Sequence, residues 1–480
     1  MTTEHSSLFI NWLKKEVAPA LGCTEPVAIS FTAAYAAKHL DTACQNISGF
    51  ISANLYKNAM GVTIPGTSVS GVALAAAIGA FGGDADKGLK TLEGITERHV
   101  ELAQMLIADG QVNISVKDTP DFIHLDLTLT GGEKSCRVVV KGTHTNIVEL
   151  YINGEAQVLA DKQSTVTQQE TLATFSLAEA FNFINEVEFA DIAFILEAAR
   201  LNSALAEEGK SKKYGLNING TFSDAVKNGL LSNDLLSKVI INTVAASDAR
   251  MGGAPVVAMS NFGSGNQGIA ATMPVVTVAE HLNADEETLA RALALSHLTA
   301  ISIHSRYTRL SALCAASTAA MGAAAGMAWL FTRDLQTINT AIINMISDIT
   351  GMICDGASNS CAMKVSSVVS SAFKAVLMAM QNSCAGSNDG IVCADVEQTI
   401  NNLCRLVIKP MAYTDKEIIN IMVAKQSLIS VLMYLTQIIN LLNTTGIVYE
   451  QKSDSTGYER HTSPVHRRLS VFIYCRRAKR

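Results

Sequence analysis

Three cysteines, Cys314, Cys354 and Cys361, fall in one apolar region of a 480-residue chain, 40 and 7 positions apart. That spacing is neither the C-x-x-C of a zinc knuckle nor that of a thioredoxin-like redox pair. Thiolates carried on separate elements can hold three irons of a 4Fe–4S cluster, because soft sulfur suits iron–sulfur centres. The plain alternative is three buried small hydrophobes, the usual fate of a free cysteine. Far upstream, Cys23 stands in Leu21-Gly22-Cys23-Thr24-Glu25-Pro26, just before an Ala-rich helix expected over 26–39. The positive end of that helix dipole is expected to lower the Cys23 thiol pKa and make it a better base or ligand. Glu25, two residues on, is the alternative base.

Polar loops surround these cysteines in the sequence. Tyr56-Lys57-Asn58-Ala59-Met60-Gly61 leads into a Pro-Gly turn ending at Thr67. A Gly/Thr/Ser loop ahead of a helix offers N–H groups to an anion such as a carboxylate. A second loop, Ser260 to Gly268, is rich in glycine, amides and hydroxyls. It is not G-x-G-x-x-G after a strand in a βαβ unit, which excludes a dinucleotide site. Arg309 precedes Cys314 by five positions and either anchors a carboxylate bidentately or caps the preceding helix. Lys364 follows Cys361 on the first turn of an apolar helix, where it offsets cluster charge or reaches for water. Cys384, Cys393 and Cys404 read as packing residues, with Cys384 the first replacement ligand.

Two stretches, CAASTAAMGAAAG from Cys314 and MICDGASNSCAMK from Met352, resemble the iron–sulfur segment of the L-serine dehydratase α-chain family. The chain resembles still more closely the related L-cysteine desulfidases, through LGCTEPVA at 21–28, YKNAMGVTIPGT at 56–67, SNFGSGNQGI at 260–269 and RLSALC at 309–314. The similarity runs from about residue 6 to about residue 420. It implies a 4Fe–4S lyase that releases sulfide, ammonia and pyruvate from L-cysteine. On that resemblance Cys314, Cys354 and Cys361 are the metal ligands and Cys23 and Glu25 the catalytic groups. Lys57, Asn58, Thr67, Ser264, Asn266, Gln267 and Arg309 would bind substrate. Two rivals stay open: L-serine dehydratase on the same scaffold, and a non-catalytic iron–sulfur sensor. No independent motif marks a pyridoxal phosphate lysine.

The elements that must position these groups fall into an α+β arrangement. Residues 46–64 alternate like a strand, and 111–160 read as about four antiparallel strands with GGEK and NGE turns. From about 176 onward the pattern is helical, with helices fitting 176–186, 188–208, 222–230, 233–249, 276–282, 286–300, 311–331, 334–348, 361–382 and 394–408. The expected organisation is N-terminal helices carrying the GCTEP loop over 1–45, a small α+β domain over 46–165, a helical cluster-binding domain over 166–420 and a C-terminal extension over 421–480.

Hydrophobic residues make up 48% and charged residues 17% of the chain, and the net charge is −6. No general nucleic-acid affinity is expected from that balance. Residues 451–480 are locally basic, with eight Lys or Arg against Asp454 and Glu459. The uncharged segment 426–449 contains Gln426, Gln437, Asn440 and Asn443, whose amides make it a poor membrane span. Ten cysteines with no signal-peptide pattern at the start point to reduced thiols and a cytoplasmic location. The expected partner is the small-molecule substrate, L-cysteine or L-serine, with no membrane and with a homo-oligomer left open.

Overall fold

The computed structural model describes residues 3–67, 69–159, 175–307 and 310–425. Most of the expected extension over 421–480 therefore lies outside the described residues, as does Arg309. The fold is α+β. Eight strands are described: β1 (Pro19–Leu21), β2 (Asn46–Ser52), β3 (Val112–Lys117), β4 (His124–Gly131), β5 (Lys134–Lys141), β6 (Ile147–Ile152), β7 (Glu155–Ala156) and β8 (Val257–Met259).

Alternating residues build the main sheet. Leu125, Leu127 and Leu129 of β4 and Cys136, Val138 and Val140 of β5 all turn inward, as a period-two pattern requires. The sheet order is β3-β2-β4-β5-β6-β7, and every neighbouring pair except β2–β3 is antiparallel. β2 and β3 are parallel because a long crossover joins them, containing helices Ala53–Ala59, Val72–Gly82 and Glu97–Ala108. The strand rhythm expected over 46–64 thus ends at Ser52, and Ala53–Ala59 is a short helix whose last five residues are buried. One face of the sheet packs on helix Thr24–Leu40, which shares its core with Ala75, Ile78 and Leu106.

The second core is helical. Its central helix, Ala315–Thr332, is buried from Ala316 to Leu330. Ala and Gly let neighbours approach closely: a Cβ at Gly322 would lie 2.3 Å from the Ser296 carbonyl oxygen. Helices Gly265–His281, Glu286–His304, Leu335–Ile349 and Cys361–Met380 surround it. Cys361–Met380 is long and apolar enough to cross a membrane by length and composition, and half of its apolar window is buried against these neighbours. The helix expected at 276–282 in fact starts at Gly265 and runs through Pro274.

The two cores are sewn together by the small antiparallel pair β1–β8, in which Pro19 faces Met259 and Leu21 faces Val257. Two more backbone bonds extend it, from Ser260 N to Ala18 O and from Phe262 N to Glu16 O, each 2.9 Å. This clamp carries the chain after Leu21 directly to the loop after Met259.

Candidate functional site

Four helix N-termini line one pocket. Cys23 is the N-cap of Thr24–Leu40, Ser264 that of Gly265–His281 and Cys314 that of Ala315–Thr332, while Cys361 opens Cys361–Met380. The unpaired N–H groups and dipoles at such ends favour negative charge. The pocket is also lined by Glu25, Asn58, His144, Arg250, Phe262, Asn266, His304 and Cys354.

Local backbone fixes the sulfur groups. Cys314 N donates to Met352 O at 2.9 Å and Cys354 N to Ala312 O at 2.7 Å, so a short antiparallel bridge holds these two cysteines side by side. Cys361 is set by the turn before its helix, where Ser358 N donates to its Sγ at 3.4 Å. Cys23 reaches the pocket because Gly22 turns with φ +74° against Pro65, at a place where a Cβ would lie 2.2 Å from that ring. Cys23 then packs with Val62 and Met251, next to Ala357 and Cys361. Thr24 ties this loop to the second one by donating to Gly263 O at 2.8 Å, and lies 3.0 Å from Glu25 Oε2.

Burial dominates the electrostatics. It pushes the Cys23 thiol up to about 12, against the opposing pull of Arg250. The expectation of a lowered Cys23 pKa is thereby corrected: a dipole at one helix end does not offset complete desolvation. Burial likewise pushes Cys314 up to about 12, with Cys354 and Cys361 adding to the shift, and raises Cys361. Glu25 is also raised, first by burial, with Arg250, Thr24 and Lys57 pulling the other way. A carboxyl moved out of its ordinary range in a pocket is a candidate acid–base group.

The donor set fits an iron–sulfur cluster. Three free thiols from separate segments face one pocket, and their mutual repulsion as thiolates would be relieved by bound cationic iron. Among the described residues, no three or more His, Cys, Asp or Glu form a group that could hold a metal ion as they stand.

Of the expected substrate-binding residues, Asn58, Ser264 and Asn266 line the pocket. Lys57 does not; it is fully buried, ion-paired to Asp415 and directed at Ser311 O, 3.4 Å away. Thr67 closes its own turn by donating to Ile64 O at 2.9 Å. Gln267 lies in the interior, bonded to Asn261 at 2.9 Å and His304 at 2.7 Å. His304 itself is held between the rings of Phe262 and Tyr307, with centroids 4.6 and 4.5 Å away. Arg250 and His144 were not legible as site residues. Arg250 follows Asp248 at the end of a largely apolar run before Met251-Gly252-Gly253, and a lone histidine in the β5–β6 turn gives no signal for His144.

The chain is similar to known proteins over most of its length. A UPF0597 protein of Klebsiella pneumoniae subsp. pneumoniae is 84% identical over 425 residues, which is 88% of this chain and 100% of the relative. The UPF0597 protein YhaM of Escherichia coli strain K12 is 51% identical over 424 residues, 87% of this chain and 97% of the relative. The family model for the serine dehydratase alpha chain matches residues 86–420, a span that holds all three clustered cysteines, Arg250 and the Ser260–Gly268 segment, and the chain therefore belongs to the serine dehydratase alpha chain family.

Proposed function

We propose that this chain is a 4Fe–4S lyase that eliminates sulfide from L-cysteine, giving pyruvate and ammonia. The observation that carries the reading is the meeting of Cys314, Cys354 and Cys361 with Cys23 and Glu25 in one pocket. Cys314, Cys354 and Cys361 would hold the cluster, which when bound would supply Lewis acidity to the leaving group. Glu25 takes the α-proton: its raised carboxyl brings the base nearer to neutral pH, where proton transfer is most effective. Cys23, beside Cys361, holds its proton and shapes the wall where the substrate's β-carbon group sits. Asn58, Ser264 and Asn266 supply polar contacts, while Phe262, Leu310 and Leu313 keep water from the reacting carbon. The released enamine tautomerises and hydrolyses in solution. Nine free cysteines among the described residues suit a reducing compartment, and we place the enzyme in the cytoplasm.

The family match favours L-serine dehydration as the second reading, with hydroxide leaving in place of sulfide. Both readings are tested by anaerobic reconstitution, counting of iron and acid-labile sulfide, and parallel assays of sulfide from L-cysteine and ammonia from L-serine. The proposal expects a broad visible absorption and a higher kcat/KM for L-cysteine. Faster turnover of L-serine would exchange the two readings, and iron content unchanged by Cys→Ala at each of positions 314, 354 and 361 would remove both.

A further inference from the structure

Arg250 is 4% exposed and lines the pocket, yet no carboxylate among the described residues pairs with it. Its Nε has no hydrogen-bond partner among the described residues; its Nη1 donates to Met251 Sδ at 3.2 Å, a weak acceptor, the Cys23 thiol is a second sulfur partner, and Glu25 is near enough to interact with it without pairing. A buried guanidinium in this condition is costly unless an anion arrives to meet it. A second observation points to where that anion sits. The guanidinium lies against the start of helix Gly265–His281, so closely that a Cβ at Gly265 would be 2.1 Å from Nε and 2.5 Å from Cζ. A side chain at this position would push the guanidinium aside. In the first turn of that helix, Ser264 Oγ accepts from Gln267 N, while the N–H groups of Gly265 and Asn266 precede the first intrahelical bond. A planar fork and two backbone donors at a positive helix end together match a carboxylate.

We propose that Arg250 and the first turn of the Gly265–His281 helix form the seat for the α-carboxylate of the substrate, which makes the ligand class a small free α-amino acid. This deepens the lyase reading and rests on it for the word substrate. One carboxylate would balance the charge of the buried Arg250 guanidinium. A dianion such as phosphate would bring a second negative charge into the pocket that Glu25 also lines. The rival role for Arg250 is to offset the charge of a bound cluster through Cys361.

The test measures binding to the full iron-free chain by calorimetry, with L-cysteine, L-serine and cysteamine as probes. Cysteamine is L-cysteine without its carboxylate, so the ratio of the two affinities isolates the seat. Wild type should bind L-cysteine about 10- to 100-fold more tightly than cysteamine, the range of a charge-assisted pair. Arg250→Gln should bring that ratio close to one, and Arg250→Lys and Gly265→Ala should each reduce it. After reconstitution, Arg250→Gln should keep the wild-type iron content and visible spectrum. If Arg250→Gln does not fold, the ratio in Arg250→Lys and Gly265→Ala decides. A ratio of one in wild type, a ratio that survives in the variants, or iron loss with the ratio intact overturns the proposal. Preferential L-cysteine binding without turnover in the reconstituted wild type would sink the lyase reading and leave the carboxylate seat standing.

Discussion

His304 Nδ1 lies 2.7 Å from Gln267 Oε1, and the polarity of that bond is fixed by a backbone carbonyl two side chains away. His297 O can only accept, so the Asn261 group facing it at 3.3 Å is the amide nitrogen. Asn261 Oδ1 then accepts from Gln267 Nε2 at 2.9 Å, which turns Gln267 Oε1 toward His304. His304 Nδ1 is therefore the donor, and a neutral ring carries its lone pair on Nε2. Gln267 acts as a positioning residue for a histidine of the pocket. Gln267→Leu should cost about 1–3 kcal/mol, the penalty of stranding buried polar partners. Thermal melting measures that cost. In the reconstituted enzyme kcat should fall more than KM rises, and wild-type kcat in a folded Gln267→Leu protein would separate the chain from function.

His297 carries the pH dependence of the same chain. Burial alone holds its imidazole down to about 3, and its ring nitrogens face Asn261 at 2.9 Å and Thr272 at 3.1 Å. Below its ordinary value of 6.5 the unfolded chain binds a proton that the folded chain refuses, so stability falls as pH falls through 6.5 toward 3. Between pH 7 and about 5 this one residue should remove about 2 kcal/mol. Urea unfolding of the iron-free chain at both pH values measures it. His297→Gln should start less stable and lose less on acidification; an equal loss in both proteins would assign the slope elsewhere.

Lys57 and Asp415 form an ion pair whose side chains are 0% and 10% exposed. Breaking one partner leaves a buried charge, so Asp415→Asn should destabilise by about 3–5 kcal/mol. The double change Lys57→Met with Asp415→Leu removes both charges and should recover most of that loss. The pair also supports the site: a Cβ at Gly356 would lie 2.3 Å from Lys57 O, and Gly356 O is 3.6 Å from Cys361 Sγ. Asp415→Asn should therefore lower iron retention as well as the melting temperature. A double variant no more stable than Asp415→Asn would show that the pair's geometry, and not charge burial, matters.

The helical core was legible because its residues repeat at helical spacing over long stretches; Leu335–Ile349 and Val396–Ile408 fall within two residues of the pattern that announces them. What escaped reading has local causes. Gly265, Gly268 and Pro274 disguise the first half of a helix as a loop, and burial of that whole half against neighbours sustains it despite them. Ala53–Ala59 is too short for its period to be told from a strand. The parallel β2–β3 pairing depends on a crossover between distant segments, which alternation within a strand does not encode. At the site, residue types announced the cysteines. Gln267 carries the same amide as the pocket's Asn58 and Asn266, and Lys57 precedes Asn58 directly; only tertiary burial turns Gln267 toward Asn261 and Lys57 toward Asp415.

Glu25 and Cys23 compete for the role of base, and their environments rank them. Both are buried at the same helix start, so desolvation raises both. A carboxyl begins near 4.5 and moves toward neutral pH as it rises, while a thiol begins near 9.0 and moves away to about 12. The thiol of Cys23 thus keeps its proton near pH 7, while burial moves the Glu25 carboxyl in the direction that suits a base. Glu25→Gln should therefore lower kcat by about 10²- to 10⁴-fold, the usual worth of a positioned base, with the iron content and resting spectrum unchanged. Cys23→Ser should keep a larger share of turnover. In wild type kcat should fall as pH drops through the Glu25 pKa, and the raised carboxyl places that limb above the ordinary carboxylate range. In Glu25→Gln the limb should disappear from the residual activity. If instead Cys23→Ser loses as much as Glu25→Gln and its resting spectrum changes before substrate is added, Cys23 ligates the cluster directly and the base assignment must be drawn again from that geometry.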